Sequence, residues 1–365
     1  IDLMNLLPDC DIVLLKQCIF LKILSELNNM SNENSIQKNW TSWHHLLHKQ
    51  ILGNRTLIPD GANLLIAVSG GQDSMTLLNL INDMKTQHNW FVNVWHGDHQ
   101  WHEKSETYAL DLQSYCNKKN ISFFFDRANK KNISSEEKAR DWRYEKLIER
   151  ANHLFIENQK ETDIYLLTGH TNTDNAETFL LNLARGSNYA GLSYIDKKRL
   201  LENNIFLIRP LLIFSREDTK EFCKLQNIPV WEDPTNCDLK IKRNLVRKKI
   251  IPILETMYPG CSKRINSFAE KMSNYKNEQN DLSQLAFISC KDALGLKRKL
   301  LNSLCIEARC TILNTFLKRD CKKQLSSKNI TNLASAIFEK DRGQINLPDG
   351  LNIVWDKDYI NLEKN

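Results

Sequence analysis

From Asn63 to about Leu183 the chain alternates short β-rich runs with helical patterns, and this constrains the fold more than any other feature. The strand candidates are Leu64–Val68, Phe91–Trp95, Ile121–Phe125 and Ile164–Thr168. Helical patterns lie between them at about 74–85, 103–118, 135–153 and 174–184. Such alternation predicts crossover connections and an α/β fold with a buried parallel sheet. Loops at the carboxyl ends of the strands then form the ligand crevice.

The first strand runs straight into Ser69-Gly70-Gly71-Gln72-Asp73-Ser74, and a helix follows. Adjacent glycines let the backbone approach an anion closely, so that successive N–H groups point at it. The helix N-terminus adds partial positive charge. Ser69 and Ser74 offer hydroxyl donors. Asp73 would repel phosphate, so it makes sense as a ligand for a bridging Mg²⁺. No Lys stands where a kinase-type P-loop needs one. The alternative is a tight Gly-Gly turn with no ligand, but the complete set of features argues against it.

The remaining composition narrows the class. Fifty Lys and Arg against 44 Asp and Glu leave +6, which permits a nucleic-acid partner without requiring one. No run approaches the roughly 18 apolar residues of a membrane span. Ten dispersed Cys without C-x-x-C pairs read as reduced thiols. Two histidine clusters, His44-His45-x-x-His48 and His96-x-x-His99-x-x-His102, lack companion ligands at zinc-site spacing.

The loop resembles the PP-loop of N-type ATP pyrophosphatases, which cleave ATP between the α and β phosphates. Further motifs follow in order: Trp95–His99, Ala139–Tyr144, Gly169–Thr178, Leu183–Ser187, Arg209–Leu212, Glu232–Asn236, and Arg243-Asn244 with Arg247. Together they are similar to the tRNA(Ile)-lysidine synthase family, from about Trp40 to Pro252. The resemblance implies that ATP adenylates C2 of the wobble cytidine of a CAU-anticodon tRNA(Ile), and that free lysine then displaces AMP. ATP and Mg²⁺ are the implied cofactors. No membrane partner is expected, and a homodimer is compatible with the reading.

Carried over residue by residue, the resemblance assigns Ser69, Gly70, Gly71, Gln72, Asp73 and Ser74 to the nucleotide, with Asp73 at the metal. Asp98 and His99 stand at a strand end facing the crevice, or act as a capping Asp and a core His. Arg140 and Arg143 share a helix face and neutralise leaving-group charge, or form salt bridges there. His170 contacts the nucleotide. Asp174 and Glu177 hold a lysine ammonium or Mg²⁺, or balance a helix N-terminus. Arg185 and Gly186 reach the substrates, or cap a helix. The sequence departs from the family where Thr171 and Thr173 replace a usual His and Asp. It departs again where Asp98-His99-Gln100-Trp101-His102 replaces Asp-His-Gly-Leu-Arg, a form closer to the cyanobacterial and plastid branch.

The segment 240–249 carries six basic residues and no acid, equal to the whole net charge. Lys240, Lys242, Arg243, Arg247 and Lys248 are therefore read as an RNA-facing stripe, against the alternative of a solvated helix face. Lys297-Arg298-Lys299, Lys318-Arg319 and Lys322-Lys323 are weaker candidates. The expected domains are an N-terminal extension and leading helix over 1–60, a PP-loop domain over 61–210, a connecting basic helical region over 211–258, and a small α+β domain over 259–365. Residues 1–29 receive no function. The last domain is expected to be helical over 262–288, 291–305 and 308–318, and to end in a hairpin. Many Asn, Lys and Ile residues, which suggest an AT-rich genome, and the branch-like segment favour a plastid stroma, with a bacterial cytoplasm as the alternative.

Overall fold

Leu64, Leu65 and Ile66 are fully buried, so consecutive side chains of the first strand enter two different cores. That is possible only when both faces of a sheet are covered. The computed structural model describes residues 40–101, 103–129, 135–158, 163–231, 238–323, 325–347 and 350–364. The 1–29 extension, His102, Glu232–Asn236, the hairpin's Pro348-Asp349, and Cys10, Cys18 and Cys237 lie outside the described residues.

The described chain forms two compact units. The first contains the described residues up to Thr178, and Ile195–Ser262. Its strands are β1 (Asn63–Ala67), β2 (Phe91–Asp98), β3 (Ser122–Arg127), β4 (Ile164–Thr168), β5 (Lys198–Glu202) and β6 (Ile205–Ile208). They lie in the order β3-β2-β1-β4-β6-β5. All neighbours are parallel except the edge pair β5–β6. The order runs outward from β1 through β2 to β3, and the other way from β4. The strand order therefore reverses between β1 and β4, where a doubly wound sheet opens its crevice.

The helices are α1 (Ser42–Gly53), α2 (Gln72–Met84), α3 (Ser105–Lys118), α4 (Glu136–Asn158), α5 (Asn172–Ala184) and α6 (Arg216–Leu225). Leu64 and Ile66 join one core with Leu77, Leu78, Ile81, Leu112 and Phe222. Leu65 and Leu166 join the other with Trp142, Leu147 and Ala151 of α4. His44 serves α1 as a capping residue. Its Nδ1 accepts from the Thr41 N–H at 3.1 Å, so Nε2 carries the proton and donates to Asp83 at 3.2 Å. No group of three or more metal-binding side chains occurs among the described residues.

The region over 211–258 falls within the first unit. Its helix α6 packs on α2, where Thr76 Oγ1 donates to the Thr219 carbonyl at 3.1 Å. Beyond it, α7 (Lys242–Leu245) passes through a π-helical turn, Val246–Ile250, into α8 (Ile251–Met257).

The second unit contains Phe179–Tyr194 and the described residues from Lys263. It has α9 (Cys261–Cys290), α10 (Arg298–Asn302), α11 (Ile306–Cys321) and α12 (Ser327–Glu339). Its sheet is antiparallel, ordered β7-β8-β11-β10-β9. The strands are β7 (Lys291–Asp292), β8 (Gly295–Lys297), β9 (Gly343–Leu347), β10 (Leu351–Trp355) and β11 (Tyr359–Lys364). The helix expected over 291–305 is interrupted. Gly295, at φ +131°, lies so close to Asn361 that a Cβ would collide, and residues 291–297 turn as a hairpin. Arg298, one of the weaker RNA candidates, points inward. Its guanidinium donates to the carbonyls of Ile337, Lys340, Asp341 and Asp356 at 2.6–3.1 Å. Arg185 is exposed in this unit, and Gly186, at φ +74°, closes α5 by donating to the Leu183 carbonyl at 3.0 Å.

Ser215 caps α6 reciprocally: its Oγ accepts from the Asp218 N–H at 3.1 Å, and its N–H donates to Asp218 Oδ2 at 2.7 Å. Ser215→Ala should lower stability by about 1 kcal/mol. Denaturant unfolding would show this as a shifted midpoint with an unchanged slope.

Candidate active site

The β1–α2 loop is built by its own hydroxyls. The Ser69 N–H donates to Ser74 Oγ at 3.2 Å, and Ser74 Oγ donates to the Gly71 carbonyl at 2.9 Å. Gly70 has φ +87°, a conformation costly for any residue with a Cβ. It is also covered by Trp231, whose ring would lie 3.1 Å from such a Cβ and whose N–H donates to the Gly70 carbonyl at 3.0 Å. Gly71 is the N-cap of α2, so the first N–H groups of that helix have no partner within it and form a ready anion site.

The β4–α5 loop abuts this one across the reversal in strand order. A Cβ at Gly169 would meet the Asp73 and Ser74 backbone at 3.0 Å. This contact was missed in the sequence, although a glycine at a strand end marks a close backbone approach. The two loops open onto a cavity of about 360 Å³. Of the residues predicted from the sequence, Ser69, Asp73, Ser74, Asp98, His99, Arg143, His170, Asp174 and Arg243 line it. Trp101, Tyr108, Tyr144 and Trp231 add aromatic walls that the sequence reading did not select. Gly70, Gly71, Gln72, Arg140, Glu177 and Arg247 do not line it.

Gln72 is directed at α6. Its Nε2 donates to the Arg216 carbonyl at 2.8 Å and to Thr219 Oγ1 at 3.1 Å. Arg140 is exposed, with its guanidinium 5.4 Å from the Tyr144 ring centroid. Asp98 is 3% exposed. Its carboxylate accepts from the Gln100 N–H at 2.7 Å and from Arg127 Nε at 3.1 Å.

Asp73 accepts from Thr219 Oγ1 at 2.5 Å, and Arg216 lies 3.4 Å away. Burial pushes its carboxyl above the usual range, against the opposing pull of Arg216 and Thr219. A further cation would offset that burial. Mg²⁺ commonly takes one or two carboxylates with substrate phosphates and water, so Asp73 suits a single protein ligand.

Asp174 and Glu177 behave differently. Glu177 is fully buried and meets Arg243 Nε at 2.8 Å and Arg247 Nε at 2.5 Å. Arg243 Nη2 reaches Asp174 Oδ1 at 2.8 Å, and Thr171 donates to Oδ2 from N and Oγ1 at 2.8 and 2.9 Å. Burial raises the Asp174 carboxyl, but Arg243, the Thr171 N–H and Arg247 together hold it below its ordinary value. These carboxylates are already compensated, so a metal or ammonium ion would compete with guanidinium groups. The arginines in turn pair with these acids, and Arg243 also lines the cavity. Lys240, Lys242 and Lys248 remain on the exposed side.

Thr171 thus completes the N-terminal cap of α5. Thr173 Oγ1 accepts from the Arg216 N–H at 3.1 Å, tying α5 to α6. His170 is partly exposed at the cavity wall, and its Nδ1 lies 2.9 Å from Thr168 Oγ1. Burial, aided by Arg209, Arg243 and Arg140, holds the ring neutral against the opposing pull of Asp174. Burial lowers His96 likewise, and its Nδ1 donates to the Val68 carbonyl at 2.7 Å.

A glycine-rich loop at the reversal point of a parallel sheet, opening into one cavity with Arg143 and Arg243, marks a PP-loop nucleotide-binding protein. The family model described as a PP-loop domain matches residues 41–254. A tRNA(Ile)-lysidine synthase of Prochlorococcus marinus (strain MED4) is 85% identical over 92% of this chain and 100% of its own length. One from a second strain of that species is 41% identical over 91% of this chain and 99% of its own. A chloroplastic one from Pyropia yezoensis is 30% identical over 82% of this chain and 91% of its own. The chain belongs to the tRNA(Ile)-lysidine synthase family. A solved U34-tRNA thiolase of Methanococcus maripaludis with a [4Fe-4S] cluster is more distant. It is 17% identical with TM-score 0.49, over 63% of this chain and 77% of that one.

Gly169→Ala should separate the two loops and weaken ATP binding by on the order of tenfold or more. Equilibrium binding measured beside thermal melting would distinguish this from unfolding.

His96 and His170 resist protonation in the fold, whereas an unfolded chain takes up those protons near pH 6.5. Their contribution to stability is present above that pH and is lost as pH falls below it. The melting temperature should therefore decline from pH 7.5 to 5.5. A level profile there would contradict the assignment.

Proposed function

We propose that the protein ligates free lysine to C2 of the wobble cytidine of a CAU-anticodon tRNA(Ile), using ATP. The observation that carries this reading is the PP-loop opening into the same cavity as Arg143, His170 and Asp174, in a chain that belongs to this family. The cytosine C2 oxygen attacks the α-phosphorus of ATP. An oxygen–phosphorus bond forms, the bond between the α-phosphorus and its bridging oxygen breaks, and pyrophosphate leaves. The lysine ammonium loses a proton to solvent, its neutral amine attacks C2, the C2–oxygen bond breaks, AMP departs, and a second amine proton passes to solvent.

The chain's own groups orient these steps. The N–H groups at the start of α2, with Ser69 and Ser74, cradle the phosphates. Mg²⁺ held by Asp73 would supply charge neutralisation on the leaving pyrophosphate. Arg143 assists there as the cavity-lining member of its pair. Neutral His170 serves the nucleotide as an uncharged hydrogen-bonding group. Asp174, which lines the cavity, is the acid available to the lysine ammonium, in competition with Arg243. Lys240, Lys242 and Lys248 are suited to RNA phosphates. Two surroundings suit the activity, a cyanobacterial cytoplasm and a plastid stroma, and the relatives named above favour the first.

Incubation with ATP, Mg²⁺, labelled lysine and transcripts bearing CAU or CAA anticodons tests this reading. Label should enter only the CAU isoleucine transcript. Asp73→Asn should abolish incorporation while leaving tRNA binding largely intact. Surviving activity would remove the metal role from Asp73.

A further inference from the structure

The segment after β2 carries a second piece of architecture at the cavity. Gln100 adopts φ +54°, in the left-handed region that residues with a Cβ seldom occupy. Two contacts fix it there. Its N–H donates to Asp98 Oδ1 at 2.7 Å, and its side-chain amide donates to the Ala128 carbonyl at 2.7 Å. A strained residue held this firmly sets the direction of the one after it. That residue is Trp101, 41% exposed and lining the cavity.

Trp101 ends a run of aromatic rings that begins in the core. Trp95 is 6.1 Å from Trp142, and Trp142 is 5.0 Å from His99. His99 is 4.9 Å from Trp101, with their planes at 35°. Gly97 makes room for this run, because a Cβ there would strike the Trp95 and Trp142 rings. Exposure rises along it, from 2% at Trp95 and 8% at Trp142 to the large exposed face of Trp101. A broad, rigid, backed aromatic surface at a cavity mouth matches what proteins offer to unstacked bases.

We propose that Trp101, backed by His99 and Trp142, is a stacking platform for a nucleobase entering the cavity. Two bases meet at such a site, the cytosine of the RNA and the adenine of ATP, and the shared chemistry is stacking of a planar heterocycle. The inference rests on the proposed function for its RNA source and only on nucleotide binding for its ATP source.

The test uses the full chain with Trp101→Ala and Trp101→Phe, and measures two affinities. One is for ATP without RNA, and the other is for a CAU tRNA(Ile) transcript with a non-hydrolysable ATP analogue present. Losing the platform should weaken one of these by roughly five- to a hundredfold in the Ala variant, while Phe retains most of it. A change confined to the transcript assigns the platform to the RNA base, and a change in ATP affinity assigns it to adenine. Unchanged affinities with unchanged melting temperature overturn the proposal. So does a loss that Phe fails to restore, which would mean a structural role. If the wild-type chain fails to incorporate lysine, the proposed function fails, yet the ATP arm still decides whether Trp101 stacks on a base.

Discussion

A carboxylate with no solvent exposure is tolerable only if its charge is matched and its lone pairs are occupied. Glu177 meets that condition through Arg243 and Arg247, whose guanidinium groups also reach Asp174. The i, i+4 separation of the two arginines brings both to the same pair of acids. The consequence is positional. The segment from Lys242 is fastened to the start of α5, and α5 begins at the strand reversal where the cavity opens. Arg243 therefore lines the cavity as part of a fixed network and not as a mobile surface charge. Breaking such a network would leave a buried charge unmatched, a cost of several kcal/mol, so the wall of the site and the stability of the unit depend on the same contacts.

The strand, glycine turn and helix of the PP-loop were legible in the sequence because their physics is local. Successive N–H groups, a left-handed glycine and a helix N-terminus all arise within a few residues. The inward turn of Arg243 and Arg247 was not legible, because their partners stand 66 and 70 residues earlier and a basic run is ordinarily a solvated face. The surroundings of Asp73 were hidden for the same reason, since Thr219 is 146 positions away. Local pattern gives no sign of strands β5, β6 and β11 or of helix α12, and it suggests helix where the β7–β8 hairpin lies. These elements are short or are stabilised by partners distant in sequence, where local pattern carries little information.

The replacements at Thr171 and Thr173 acquire a physical meaning that the sequence did not provide. Thr171 is fully buried and donates twice to Asp174, so a hydroxyl and a backbone N–H hold the acid that also receives Arg243. Thr173 receives the first N–H of α6, the helix that presents Arg216 and Thr219 to Asp73. Each threonine thus supports a carboxylate of the cavity from behind.

Of the acids that line the cavity, Asp73 and Asp174 are left in different electrostatic conditions. Asp174 is held ionised by arginines and hydrogen bonds, so an incoming ammonium group has to compete with Arg243 for it. For Asp73, burial outweighs Arg216 and Thr219, so a cation arriving with a polyphosphate relieves a cost the fold has left in place. The site is therefore incomplete at Asp73 and complete at Asp174. In the proposed function, that asymmetry would favour a metal–nucleotide pair at the β1–α2 loop, under Trp231, and would leave the β4–α5 side with its arginines for groups that do not bring their own metal.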